Sequence, residues 1–445
     1  MRKTTALLTA LLTVLATAAI AAFTSHGGAR AADVKTATAT AAPGFVNFEL
    51  SRTPGTTCPG GGSACTNAAG EPAIRADGAG RFFTTSENGL GAGTLAWRSL
   101  TGGRSYQAIN SPDQASAANE TGFAPGGGDT DVAVAPVKNL FGYYNVYVAS
   151  LSLANIDVST SQNAGATWRL NPVTTPETID DREWIAADGM QKVCISYHNA
   201  PQGITVGCST NAGLTFAQWA PAIDAAHAYQ TANNAIGNLA IDARTHTIYQ
   251  IYSGITKATE VACAPQFGVK PPNYCDYHGV YIAVSTDGGK TFVDRPVYVN
   301  PNTKIAYGHQ FTNVSIDQAG NVYAVYSDIH YVWYSVSKNG GTTWSAPVRV
   351  SGAGTAIMPW STALAPGKLA IVYYKSPYYD STKAPDDYPA SATWKVELAQ
   401  NLHAASGGGF TLTSVTPVIH KGGACLGGVT CTGNRDLYDD FGVAA

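Results

Sequence analysis

Ser285–Phe292 reads STDGGKTF, and four other stretches share its pattern: Ser99–Tyr106 (SLTGGRSY), Ser161–Trp168 (SQNAGATW), Ser209–Phe216 (STNAGLTF) and Ser337–Trp344 (SKNGGTTW). The common form is Ser-x-x-x-Gly-x-(Ser/Thr)-aromatic. At ordinary residue frequencies, fewer than about 0.1 such matches are expected by chance in a chain of this size. The copies start 62, 48, 76 and 52 residues apart, so one unit spans about 50 residues with insertions. The third position is Asp287, Asn163, Asn211, Asn339 or Thr101. A short oxygen-bearing side chain there can bond the backbone of a tight turn. The glycine supplies a positive φ, and the aromatic leads into the next strand and buries its ring.

Strand-like runs lie upstream of each copy. Val132–Val134, Val146–Ala149 and Ile156–Ser159 precede one; Val314–Ile316, Val322–Tyr326 and Val332–Val336 precede another. Each unit therefore reads strand, strand, strand, box turn, strand. Four strands per period of about 50 residues is the signature of a β-propeller blade. The boxes resemble the Asp-box (BNR) repeat of bacterial sialidases and related secreted proteins, although only Asp287 supplies a true Asp. The resemblance implies that the boxes are structural and lie on the face away from a ligand site. Blades are expected at 71–106, 129–168, 181–216, 236–292, 310–344 and 357–416, the sixth without a box. The fold expected is all-β, a six-bladed propeller of four-stranded antiparallel blades, with seven blades as the alternative. A last strand near Asn434–Leu437 is expected to close the ring with a strand near Val46–Leu50.

Composition narrows the function. Of 445 residues, 13% are charged and 10% aromatic, with 47 Gly and 23 Tyr. Low charge with many aromatics excludes disorder, and the scarcity of Glu and Lys excludes a coiled coil. A net charge of −3 lacks the basic stripe of a nucleic-acid binder. Arg2 and Lys3, an uncharged run Ala6–Phe23 and Ala29-Arg30-Ala31 read as a signal peptide over 1–31. Residues 32–45 read as an Ala/Thr-rich flexible leader, and 46–445 as a single propeller domain. The expected product is secreted, monomeric and without a membrane span after cleavage. Removing Arg2, Lys3 and Arg30 leaves an excess of six acids.

The eight cysteines fall into four close pairs: Cys58 with Cys65, Cys194 with Cys208, Cys263 with Cys275, and Cys425 with Cys431. An even count behind a signal peptide points to disulfides, and no C-x₂-C spacing suggests zinc. Cys194 and Cys208 flank the turn Asn199–Gly203 symmetrically, which places them opposite each other in a hairpin.

Scarce charges concentrate where blades open: Glu71 and Arg75, Asp129 and Asp131, Asp181, Arg182 and Glu183, then Arg435 and Asp436. Alternation puts Asp129 with Asp131 on one strand face, and Arg182 with Trp184. The sialidase resemblance implies arginines that clamp a substrate carboxylate, a Tyr nucleophile activated by a Glu and a carboxylic acid that protonates the leaving oxygen. Arg75, Arg182 and Arg435 are the candidate clamp, with Asp436 and His198 as further binding residues. Glu71 or Glu183 is the candidate activator, Asp129 or Asp131 the acid, Tyr326 a candidate catalytic tyrosine, and Trp184 and Trp360 candidate platforms for a sugar face. The Arg-Ile-Pro motif of sialidases is missing. No cofactor is called for, and Asp129 and Asp131 are also candidates for a structural calcium ion. Carbohydrate is the expected partner. The alternatives are a non-catalytic propeller that binds glycan or protein, and a polysaccharide lyase using Tyr197 and His198.

Overall fold

The computed structural model describes residues 70–425 apart from 115–124, 153–154, 173, 178, 200–202, 266–269, 309–310 and 364, together with 44–47, 50, 431, 437 and 441–445. The signal peptide and most of the leader lie outside the described residues, as do Arg435 and Asp436.

Six antiparallel sheets run in chain order, each built from four consecutive strands. They cover Gly70–Ile109, Thr130–Asn171, Asp180–Pro221, Asn234–Val299, Asn313–Arg349 and Thr355–Ser414. This is a six-bladed propeller. The seven-bladed alternative fails because the described residues after Ser414 add only a two-residue strand, His420–Lys421, on the third strand of blade 6. Every blade is complete within its own stretch of chain. Most of the two segments expected to pair as a closing strand, Asn434–Leu437 and Val46–Leu50, lies outside the described residues.

The first strand of each of blades 1 to 5 packs on the first strand of the next around the ring axis. Core clusters lie between neighbours: Ala73 and Phe83 meet Val132, Val146 and Val148 between blades 1 and 2. Tyr147, Ala149 and Val158 meet Ile185, Ile195 and Tyr197 between blades 2 and 3. Second strands such as Tyr144–Leu151 are covered on both sheet faces, so they read as continuous apolar runs rather than alternating ones.

All five boxes form one turn. The Ser hydroxyl accepts from the glycine amide four residues on, at 2.9 Å from Gly103 to Ser99, 2.8 Å from Gly165 to Ser161 and 2.9 Å from Gly289 to Ser285. Gly213 and Gly341 donate likewise to Ser209 and Ser337. The third side chain accepts from the seventh amide, at 2.9 Å from Thr167 to Asn163 and 3.1 Å from Thr291 to Asp287. Asn and Thr replace Asp here because one acceptor oxygen suffices. The turn needs two left-handed residues, not one: Ala164 and Ala212 precede their glycines with φ of 57° and 60°. The carbonyls so exposed latch blades together. Arg98 of blade 1 donates to Ala164 O at 3.0 Å, and Thr160 of blade 2 to Ala212 O at 2.8 Å. Among the box aromatics, Phe292 is buried and Tyr106, Trp168, Phe216 and Trp344 are half-buried.

Three of the four expected disulfides are formed among the described residues. The long interval between the third and fourth boxes comes from an insertion in blade 4, closed by the Cys263–Cys275 bond. Cys425 is bonded to Cys431. Cys194 and Cys208 are register partners on adjacent strands of blade 3 and are bonded, with Cα atoms 4.1 Å apart. The fourth expected bond, from Cys58 to Cys65, is not among them: Cys58 and Cys65 both lie outside the described residues. The double substitution Cys194→Ser with Cys208→Ser releases a loop of about 15 residues. It is expected to lower stability by about 3 kcal/mol, checked by urea unfolding under non-reducing conditions.

Candidate functional site

The opening strands of four blades carry a β-bulge near their starts. The extra residues are Glu71-Pro72, Arg182, Gly237-Asn238 and Met358-Pro359. Glu71, Arg182 and Met358 take positive φ of 45°, 47° and 54°, a costly conformation for residues with a Cβ. A bulge turns the strand and re-aims a side chain. Here it swings Glu71 and Arg182 toward each other at the mouth of the ring.

Arg182 reaches across two blade boundaries. Its guanidinium lies 2.8 Å from Glu71 of blade 1 and 3.6 Å from Asp129, just before the first strand of blade 2. The same group covers the Phe311 ring at 4.2 Å and the Trp184 ring at 5.6 Å. Arg75 pairs with Asp131 at 3.2 Å and lies 5.6 Å over Trp360 of blade 6. Asp131 also accepts from the amides of Val132 and Ile185 at 2.8 and 3.1 Å. Burial nevertheless raises its pKa, opposed by Arg75, those amides and Arg182.

Glu183 sits beside this network without a hydrogen-bond partner for either carboxyl oxygen among the described residues. It is 1% exposed. Burial raises its pKa well above the usual value; the negative charge of Asp129 adds to the rise and Arg182 opposes it. Below these charges the channel is filled. Trp184 stands 5.0 Å from Trp360 and 5.3 Å edge-on from Phe311, with Phe441 and Val443 against the same cluster.

The structure thus brings Glu71, Arg75, Asp129, Asp131, Arg182, Glu183 and Trp184 to one place. It adds Glu87, whose carboxylate converges with those of Glu71 and Asp129 to within 4.8 Å. The antiparallel partnership of Gly70 with Glu87 could have indicated this, since it brings the end of the second strand to the start of the first. Such a trio can hold a cation, and Arg182 already supplies positive charge there. Asp131 is not one of the three, so the Asp129/Asp131 calcium pair is not the arrangement formed.

Three expectations need correction. Tyr326 is fully buried and bonds Ser335 at 3.0 Å between Tyr298 and Tyr307, in the core between blades 4 and 5. Second strands are enclosed by neighbouring blades, so a tyrosine there is packing. Trp184 is 1% exposed, with its surroundings taken by Trp360, Phe311 and Arg182, so it is a wall and not a platform for sugar. His198 alternates with Tyr197 along its strand, so the two face opposite ways. Burial alone lowers the His198 pKa, while Tyr197 donates to Glu177.

No known family profile matches the chain, and no curated protein matches it. Similar solved structures include an α-L-arabinofuranosidase from Fusarium graminearum, at 15% identity and TM-score 0.46, covering 74% of this chain and 93% of that one. A lectin from Aleuria aurantia is similar at 9% identity and TM-score 0.43, covering 78% and 96%. A Hadza microbial sialidase is similar at 11% identity and TM-score 0.41, covering 69% and 63%. Likeness at this level bears on no activity, and the blade count rests on the strand order.

Two outcomes test this network. Arg182→Met leaves the carboxylates of Glu71 and Asp129 without their cation. It is expected to cost about 3–5 kcal/mol, read from urea unfolding. Glu183→Gln should act oppositely. An unfolded Glu ionises near pH 4.3 whereas the folded one keeps its proton, so stability falls as pH rises from about 4.3 toward the folded pKa. The neutral amide escapes that loss. Its unfolding midpoint should exceed the wild type's at pH 7, and the two should converge below about pH 4.

Proposed function

We propose that this chain is a secreted, monomeric carbohydrate-active propeller, a glycoside hydrolase of the sialidase-like superfamily working at the channel mouth. The observation that carries this reading is Glu183, a buried carboxyl with no hydrogen-bond partner among the described residues and a raised pKa, beside the carboxylate of Asp129. A glycosidic oxygen leaves readily once protonated, and an acid whose pKa is pushed up by burial is the better proton donor for it. Asp129, half-buried and held by Arg182, is the second carboxyl that hydrolysis needs across the bond.

The charge balance favours a neutral sugar. Glu71, Glu87, Asp129 and Asp131 surround the mouth, against Arg75 and Arg182. Both arginines hold carboxylates of the chain itself. A sialoside or uronate would have to displace them, so acidic sugars are the less favoured substrates. The lyase alternative lacks its pair, since Tyr197 and His198 face opposite sides of their strand. Nucleic acid is not a partner on this reading, because the mouth is acidic. No described helix is long and apolar enough to cross a membrane.

A second reading, a glycan binder without catalysis, is favoured by the burial of Glu71, Asp131 and Glu183, each 1% exposed. A ligand would then touch only the rim, at Arg75, Glu87 and Asp129.

The test is a panel of neutral glycosides and oligosaccharides, with sialosides and uronates alongside, assayed for released sugar and for an unsaturated product absorbing in the ultraviolet. Hydrolysis of a neutral glycan is expected. Glu183→Gln should lower kcat by about 100-fold or more with the fold intact. Binding without release would move the reading to the non-catalytic binder. The absence of both binding and release would sink the carbohydrate reading.

A further inference from the structure

A second cluster of chemistry-bearing side chains lies away from the channel mouth, between blades 3 and 4. Asp224 follows the last strand of blade 3 and caps the short 3₁₀ turn Ala225–Gln230, accepting from the His227 amide at 3.0 Å. Asp294 enters from the outermost strand of blade 4, Val293–Val299. The two aspartates are tied reciprocally. Asp294 N donates to Asp224 Oδ2 at 2.9 Å, and Asp224 N donates to Asp294 Oδ2 at 2.5 Å. His227 Nδ1 lies 2.8 Å from Asp224 Oδ1 and 3.9 Å from Asp294 Oδ2. One donor atom from each of the three residues falls within 4.8 Å of the others.

A helix cap accounts for Asp224 and His227. It does not account for Asp294. The Asp294 side chain is wholly buried next to another carboxylate, and its Oδ1 meets no donor in good geometry among the described residues. The hydroxyl of Tyr252 donates to Gln230 at 2.8 Å and also lies within hydrogen-bonding reach of the Asp294 carboxylate. Tyr281 stands edge-on to His227 at 5.9 Å. Tyr229 and Glu260 are further titratable groups nearby, and among the described residues the ion-pair partner of both aspartates is His227, with no Lys or Arg within reach. A wholly buried carboxylate held beside a second carboxylate and an imidazole, with no Lys or Arg of the described residues paired to either acid, is a donor set that a metal ion would neutralise.

We propose that Asp224, His227 and Asp294 form a binding site for a divalent transition-metal ion of the Zn²⁺ class, bridging blades 3 and 4. The donor set decides the class. An imidazole with two carboxylates suits zinc and its neighbours, whereas calcium and magnesium take oxygen ligands. The spacing fits as well. Ligands at about 2.0–2.2 Å from a tetrahedral zinc stand about 3.3 Å from one another, and the separations from His227 straddle that value. The reciprocal amide bonds hold both carboxylates in orientation, as outer partners do in metal sites. Three protein ligands leave a fourth position for water. Because Asp224 and Asp294 come from different blades, the ion would act as a cross-link, outside the chemistry proposed for the channel mouth.

The full chain, stripped with EDTA and dialysed, should be titrated calorimetrically with ZnCl₂ at pH 7.5. One Zn²⁺ per chain is expected, and at a hundredfold excess over Kd the thermal midpoint should rise by about 3 °C. His227→Gln changes a partly exposed side chain, and Asp294→Asn changes the buried one. Each should weaken zinc binding about tenfold or more, while millimolar CaCl₂ leaves the wild-type titration unchanged. Three results would overturn the proposal: no heat and no thermal shift with zinc; zinc affinity unaltered in folded His227→Gln, which would put the ion elsewhere, for instance on Glu71, Glu87 and Asp129; or displacement of zinc by equimolar calcium. Should Asp294→Asn fail to fold, His227→Gln decides alone.

Discussion

The guanidinium of Arg182 ties three blades together at the mouth. It rises from blade 3, pairs with Glu71 of blade 1 and Asp129 at the entry to blade 2, and covers aromatic rings that fill the channel. A propeller places its first strands so close to the axis that side chains there cannot all remain solvated. Either they are apolar or they neutralise one another. Here both solutions are stacked, with Trp184, Trp360 and Phe311 below and the ion pairs above. The bulges that bring Glu71 and Arg182 together put both residues in left-handed conformations. Buried ion pairs seldom add much stability over an apolar core, so this arrangement is better understood as fixing which side chains face one another.

That arrangement also separates the carboxyl groups by role. Glu71 and Asp131 are committed to arginines. Glu183 has no ion pair of its own among the described residues, and burial and Asp129 both disfavour its charge and raise its pKa. Neighbouring acids pushed toward different protonation states are what acid–base chemistry requires. The same pattern would also serve a closed, purely structural hub, and the exposed rim decides how far a ligand can enter.

Much of the architecture was legible in the sequence because its rules are local. Each box carries its own turn chemistry within eight residues, and Cys194 and Cys208 could be placed opposite each other by counting from the turn. The clustering of Glu71, Asp129, Asp131, Arg182 and Glu183 followed from a geometric rule, that every blade begins at the same face. What escaped depends on contacts distant in sequence. Tyr326 reads as a candidate catalytic tyrosine at the end of a strand, but a neighbouring blade covers it. Trp184 reads as a sugar platform until Phe311 and Trp360 are set against it. Asp224 and Asp294, 70 residues apart, give no sign in sequence that their carboxylates meet. The bulges were equally hidden, since Glu71, Arg182 and Met358 are poor markers of positive φ.

Completion of every blade within its own segment has a consequence for how the ring is made. Each sheet can assemble from neighbouring strands as the chain emerges, so most loops to be closed are short and their entropic cost is modest. The seam between blades 6 and 1 is the exception. No shared sheet crosses it among the described residues; Arg75 over Trp360 spans it, and Phe441 and Val443 pack against the cluster that includes Trp360. Those last two residues are synthesised after all six blades. Closing that seam therefore joins segments far apart in sequence, whereas every other blade boundary joins neighbours along the chain, and it does so beside the charged mouth.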